Sequence, residues 1–158
     1  MMKFLVLSDL HEAAVAPFLR HADAFDGVLF CGDGASKALP ALTAAFNTVY
    51  AVRGNCDFSV DLPEEREFTV EGVRVLLTHG HRFRVKYALG FLAEEAHARG
   101  CAVAVFGHTH TPVFSSECGV LLCNPGAAGG FSPTFGVLEI RADGILFSVS
   151  DREGRIVC

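Results

Sequence analysis

Five short polar clusters hold most of the side chains able to bind a metal: Asp9-x-His11, Gly32-Asp33, Gly54-Asn55-Cys56-Asp57, His79-Gly80-His81 and Gly107-His108-Thr109-His110. Five of the seven histidines lie in them, while His21 and His97 fall in helical stretches and read as surface residues. Carboxylates, imidazoles and one amide oxygen, without a cysteine-rich set, suit Mn²⁺, Fe²⁺, Ni²⁺ or Zn²⁺ better than a closed structural zinc site. Asp33 is the natural bridge, because one carboxylate can span two ions about 3.5–4 Å apart. Each cluster also has a plainer meaning by itself. Asp9 could cap a helix, Gly32-Asp33-Gly34 could be a turn, and Asn55 and Asp57 could be Asx-turn residues. A lone histidine is more often a hydrogen-bonded structural residue than a ligand. The two His-x-His pairs are harder to dismiss, and the set gains weight from where its members fall.

Each cluster follows a β-rich run. Residues 3–7, 27–31 and 48–52 are continuous apolar strands, separated by helix-forming stretches at 13–24, which contains Pro17, and at 36–46. Strand–helix–strand at this spacing implies parallel pairing through right-handed crossovers. Unbroken apolar runs imply strands covered on both faces. The carboxyl ends of an open parallel sheet share one edge, and the loops beyond them form a ligand crevice. Clusters far apart in sequence therefore converge. In the second half, 67–70 and 73–78 read as a hairpin about Glu71-Gly72. Residues 85–99 form the longest helical stretch, with apolar positions 85, 88, 89, 92 and 96 on one stripe and Gly100 where a C-terminal cap belongs. Residues 102–106 form another strand, and 113–115, 120–123, 135–140 and 145–150 form a meander whose last turn is Asp143-Gly144. With no repeat, low-complexity segment or linker, a single domain spanning 1–158 is expected.

Composition narrows the partners. Of 158 residues, 51% are hydrophobic, which is enough for one core without staples. Thirteen basic against 18 acidic residues give a formal charge of −5, which argues against an extended nucleic-acid surface. It leaves room for a phosphate-bearing substrate, since bound cations reverse the charge locally. No apolar run is long enough to cross a bilayer. Residues 1–7 briefly resemble a signal peptide, but Ser8, Asp9, His11 and Glu12 end the run. Cys31, Cys101 and Cys123 sit in apolar stretches as core thiols, and no Cys-x-x-Cys pair occurs among the six cysteines, so a reducing, cytoplasmic setting is expected.

In order, Asp-x-His, Gly-Asp, Gly-Asn-x-Asp, His-Gly-His and Gly-His-Thr-His resemble the motifs of the calcineurin-like metallophosphoesterases. The short length and the form Gly-Asn-Cys-Asp resemble its YfcE-type phosphodiesterase branch, and Asn124-Pro125-Gly126 extends the likeness. The resemblance implies an α/β fold, a four-layer α/β/β/α sandwich of two mixed sheets flanked by helices, with the late meander as the second sheet. It implies one ion held by Asp9, His11, Asp33 and His110 and a second held by Asp33, Asn55, His79 and His108. Mn²⁺ is foremost, with Ni²⁺, Fe²⁺ and Zn²⁺ as alternatives. His81 would support a ligand or touch substrate. Two such ions present hydroxide near neutral pH for in-line attack on the phosphorus of a small phosphoester. Many relatives carry histidine where Cys56 stands. A thiol, with pKa ~8.5, donates more weakly than imidazolium, so activated aryl esters are the easiest substrates. The basic run 81–86 either solvates a helix start or lets Arg82 or Arg84 hold a substrate phosphate. Asn124-Pro125-Gly126-Ala127 reads as a turn closing the crevice floor. The retromer subunit, a non-enzymatic relative, supplies the competing reading of a metal-bearing interaction scaffold. A homo-oligomer is compatible with either.

Other chemistries fit less well. A metallo-β-lactamase-type site needs Asp-His directly after His-x-His, and neither His79-x-His81 nor His108-x-His110 is followed by one. An amidohydrolase barrel needs a longer chain. No phosphate-binding glycine loop of nucleotide-binding type is present.

Overall fold

Strands β1 (Met2–Leu7), β2 (Gly27–Phe30) and β3 (Val49–Ala51) pair in parallel, as their unbroken apolar sequences require. The structure is a computed structural model describing residues 1–158. The link from β2 to β3 is helix α1 (Ala35–Ala45), which tolerates Pro40 in its interior with the loss of one backbone bond. The helix expected over 13–24 is instead two short 3₁₀ turns, Ala16–Leu19 and Ala22–Ala24. Pro17 explains the difference. Inside a helix begun at residue 13 its ring would press on the Ala13 carbonyl, so it opens a new turn instead.

The second sheet begins with the hairpin β4 (Glu65–Val70) and β5 (Val73–Thr78), joined by Glu71 and Gly72, both with positive φ as a type I′ turn demands. Helix α2 (Gly90–Ala98) then carries the chain to β6 (Val103–Val105), parallel to β5. It is shorter than the helical stretch read from periodicity. Arg84 adopts a left-handed conformation (φ 53°), and a turn closes on its carbonyl, so the helix starts only after Leu89. Val85 is still buried, but Ala88 is exposed. At the far end Gly100 (φ 71°) closes the helix with paired bonds, Cys101 N–H to Ala96 and Gly100 N–H to His97, the Schellman arrangement.

The meander does not form the second sheet by itself. The hairpin β7 (Pro112–Glu117) and β8 (Val120–Pro125) extends the second sheet to the order β4-β5-β6-β8-β7. The hairpin β9 (Thr134–Arg141) and β10 (Gly144–Asp151) returns to the first sheet, giving β10-β9-β1-β2-β3. The reason lies in β1, which pairs with β2 on one side and needs a partner for its buried backbone on the other. β9, with its alternating burial, supplies an antiparallel one.

Three apolar clusters fill the layers. Phe4, Val6, Leu29, Val75, Leu77, Val103 and Val105 lie between the sheets. Leu5, Leu7, Val28 and Phe30, the alternate positions of the same strands, meet α1 and the 3₁₀ turns. Leu76, Ala104 and Leu122 meet α2. Two mixed five-stranded sheets with helices outside them make the α/β sandwich, and each sheet's parallel strands end at one rim.

Candidate metal centre

The five clusters meet at that rim, although they come from two sheets rather than one open sheet. Asp9 and His11 follow β1, Asp33 follows β2, Asn55 follows β3, His79 follows β5, and His108 and His110 follow β6. Nε2 of His110 lies 3.1 Å from Asp9 Oδ1 and 3.4 Å from Nε2 of His11, which is itself 4.0 Å from Asp33 Oδ2. On the other side of Asp33, Nε2 of His79 lies 3.3 Å from Asp33 Oδ2, 3.1 Å from Asn55 Oδ1 and 3.2 Å from Nδ1 of His108. Asp33 thus stands between two groups of donors, and Asp9, Asp33 and His79 are buried.

The backbone carries the cost of this convergence. Eight non-glycine residues have positive φ, and five of them are Asp9, His11, Asp33, His108 and His110. Such conformations cost about 1–3 kcal/mol each and persist only where neighbours over-determine them. Here the loops lace together. Leu10 and His11 both donate to the Asp33 carbonyl, Gly129 donates to the Asp9 carbonyl, and Gly107 donates to the His79 carbonyl. Asp9 Oδ2 then joins the sheets by accepting from Ser8 Oγ at 2.6 Å and from the His108 amide at 2.9 Å.

The donors suit a cation. Asp9 Oδ1 is buried and accepts no hydrogen bond. His79 Nδ1 lies 2.7 Å from the Cys31 carbonyl, to which it donates, so its Nε2 lone pair faces the oxygens of Asn55 and Asp33. Lone pairs aimed at one another are relieved by a proton or by a metal. Burial opposes charging of His79, but the hydrogen bond to Asp33 and the charges of Asp9 and Asp33 prevail and raise its pKa above the ordinary imidazole value. Burial likewise works against ionised Asp33, yet His79 beside it holds the carboxyl below the usual carboxylate range. His108 is pushed down to about 4 by burial and by the neighbouring His79 charge, which leaves it neutral, the form a metal requires.

Several supporting residues gave no clear signal in the sequence. Asp57, read there as a possible Asx-turn residue, accepts from the amides of Asp33 (2.8 Å), Gly34 (2.9 Å), Ala35 (3.0 Å) and Gly54 (2.9 Å). It therefore caps α1 from another loop and fixes Asp33 and Asn55 relative to each other. Asn124, at the end of β8, is buried and donates to the Gly107 carbonyl (3.0 Å) and Thr109 Oγ1 (3.1 Å), bracing the loop of His108 and His110. Gly54 and Gly107 are dictated by space: a Cβ would sit 2.1 Å from Asp33 Oδ1 in the first and 1.8 Å from Ser8 Oγ in the second. A polar side chain near the end of an apolar strand run was the available clue for Asp57 and Asn124; their partners come from distant loops.

Around the rim, the His81 ring lies tilted to that of His79 with the centroids 5.5 Å apart, and its Nδ1 is buried and unpartnered. Burial and the His79 charge push its pKa down. The Cys56 amide donates to Asp33 Oδ1 at 2.8 Å, and its Sγ is grouped with His11 and Asp33. Burial and the Asp33 charge push its thiol pKa up. Arg82 is bonded to Glu64, which Arg53 also approaches at 3.4 Å. Arg84 lines a separate cavity against α2.

The family profile described as "Calcineurin-like phosphoesterase superfamily domain" matches residues 2–143. The "Probable metallophosphoesterase YsnB" of Bacillus subtilis is 33% identical over 129 residues, 80% of this chain and 75% of that protein. The "Phosphodiesterase YfcE" of Escherichia coli is 30% identical over 120 residues, 68% of this chain and 61% of that protein. The crystal structure of a predicted phosphoesterase from Streptococcus pneumoniae superposes with a TM-score of 0.82 at 23% identity, covering 99% of this chain and 92% of that one, a likeness of fold. The laced rim, the motif order and these relatives agree: the chain belongs to the calcineurin-like phosphoesterase superfamily.

Proposed function

We propose that the chain is a dinuclear metal-dependent phosphodiesterase. The observation that carries this reading is the placement of Asp33 between two groups of donor atoms, with the buried Asp9 Oδ1 lacking a hydrogen bond beside it. Asp9, His11, Asp33 and His110 would hold one divalent cation, and Asp33, Asn55, His79 and His108 the other. The oxygen and imidazole donors are compatible with Mn²⁺, Ni²⁺, Fe²⁺ and Zn²⁺, and Mn²⁺ is placed first on the resemblance to the family. When bound, such a pair supplies Lewis-acid charge and a nucleophile near neutral pH for in-line displacement at phosphorus.

The chain's own residues do the rest. Asp33, despite the cost of burial, is held below the usual carboxylate range by His79 and carries its charge near neutral pH, and the Cys31 carbonyl keeps His79 turned so that Nε2 faces the centre. His81, half-buried next to His79 and His108, orients the phosphoryl group. The Cys56 thiol keeps its proton and is a weak donor toward the leaving oxygen, so esters of acidic alcohols react fastest. Arg82, tied to Glu64, and Arg84, in the cavity against α2, add positive charge beyond His81 that would favour an anionic ligand. The diester preference draws on the likeness to the phosphodiesterase of Escherichia coli.

Hydrolysis of bis(4-nitrophenyl) phosphate with added Mn²⁺ tests the reading. Asp33→Ala and His79→Ala should each lower kcat/KM by at least ~100-fold, since even groups that only support metal ligands cost 10–100-fold. A folded protein that binds two ions by calorimetry yet hydrolyses no mono- or diester with any of the four metals would overturn it and favour the interaction scaffold.

A further inference from the structure

The turn that follows the metal-facing His79 ends at an arginine whose geometry the proposed centre leaves unexplained. Of the eight non-glycine residues with positive φ, five belong to the candidate centre, and Glu71 and Cys118 sit in two-residue hairpin turns. The eighth is Arg84. Its amide donates to the His81 carbonyl at 3.3 Å, and its own carbonyl accepts from Tyr87 at 2.9 Å and Ala88 at 3.3 Å, so the backbone is pinned while the side chain is free. Arg82 is tied to Glu64, whereas the Arg84 guanidinium has no ion-pair partner. It lines a cavity of about 620 Å³ with Arg82, Phe83, Phe91, Glu94 and Glu95, a volume in the range of small-molecule sites.

The lining is chemically mixed in an informative way. Glu95 is neutralised by Arg99 at 2.7 Å, which leaves one free guanidinium, one free carboxylate (Glu94) and two phenyl rings. Phe91 is 59% exposed, whereas the apolar side chains Leu92, Ala93 and Ala96 of the same helix are buried, so its face is open to a ligand. A free phosphate would use Arg84 alone and would meet Glu94 unfavourably. An apolar acid would leave Glu94 bare. A nucleotide satisfies all of them: its phosphate meets Arg84, its base stacks on Phe91, and a base amino group donates to Glu94. The Arg82–Glu64 ion pair joins this cavity to a smaller one of about 280 Å³, where Glu64 stands with Asn55, Phe58 and His81 at the edge of the centre.

We propose that the cavity between Arg84 and α2 is a nucleotide subsite, so that the substrates are phosphodiesters that also carry a nucleotide with a phosphate of its own, the scissile ester at the metal centre and the nucleotide's phosphate on Arg84. The substrate class rests on the phosphodiesterase reading; the binding site does not. The test is therefore a titration of the metal-free protein, in EDTA, with adenosine 5′-monophosphate, followed by NMR or calorimetry. Arg84→Ala should weaken binding ~10-fold or more, as loss of a charged hydrogen bond does. Phe91→Ala should weaken it ~5-fold or more, as loss of base stacking does. Both variants should keep the wild-type circular dichroism and Mn²⁺ titration, which separates lost contact from lost fold. Inorganic phosphate should bind more weakly and ignore Phe91→Ala. Nucleotide binding no tighter than phosphate, or indifferent to both substitutions, overturns the subsite. Nucleotide binding without phosphodiester turnover supports the subsite and sinks the phosphodiesterase reading; turnover of bis(4-nitrophenyl) phosphate without nucleotide binding does the reverse.

Discussion

Asp57 does not approach the space between the candidate ligands, yet the positions of two of them depend on it. Its carboxylate gathers four backbone amides from the loops after β2 and β3, in a buried pocket where each amide would otherwise go unpaired. An orphaned buried donor costs about 1–3 kcal/mol. Asp57→Asn, which keeps one acceptor oxygen and turns the other into a donor facing donors, should lower stability by about 2–4 kcal/mol. It should also weaken Mn²⁺ binding by about 10–100-fold, the usual cost of losing a group that orients a ligand. Calorimetric titration beside denaturant melts checks both, and unchanged affinity would show that Asp33 and Asn55 hold their places without it. The chemistry-bearing types at Asp9, Asp33, Asn55 and the histidines were legible in the sequence because their spacing after strands is local. The service of Asp57 and Asn124 was not, because each acts on a loop reached only after folding.

At the scale of elements, strand identity was readable wherever covered faces demanded unbroken apolar runs, as in β1, β2 and β6. Helix length was not. Pro17 and the left-handed Arg84 each stopped a pattern that periodicity alone would continue. Sheet membership was hidden as well, since β9 reads as the neighbour of β8 in sequence but pairs with β1, nearly the whole chain away. Once the two sheets are stacked, the β6 loop passes so near the β1 loop that Gly107 has no room for a side chain. Gly107→Ala must push Ser8 and Asp9 aside. A melting temperature several degrees lower is expected for a clash costing about 1–3 kcal/mol. Loss of Mn²⁺ binding should exceed what that destabilisation explains, because Asp9 moves with Ser8. A variant that binds Mn²⁺ normally would mean that the loops separate freely.

For the whole molecule, the buried Asp33–His79 pair sets how stability depends on pH when metal is absent. Asp33 is held below its unfolded value, so its contribution is complete above that value and is lost as pH falls through the folded one. His79 is held above 6.5, so its contribution is complete below 6.5 and is lost as pH rises through the folded value. A melting curve against pH in EDTA should therefore be a dome falling at both ends. Mn²⁺ at ~100 times its Kd adds about 2.7 kcal/mol. Because it needs unprotonated imidazole, the gap between Mn²⁺ and EDTA curves should widen from about pH 5 to about pH 8; a constant gap would count against His79 as a ligand. The topology carries one more consequence. The second sheet is a continuous stretch from Glu65 to Pro125, whereas the first is assembled from both ends of the chain, with β9 and β10 closing on β1. As the polypeptide leaves the ribosome, the later-made sheet can finish while its older companion still waits with β1 bare along one side. A nascent chain stalled short of Thr134 would thus hold every candidate ligand and still lack the strand that seats the first two of them.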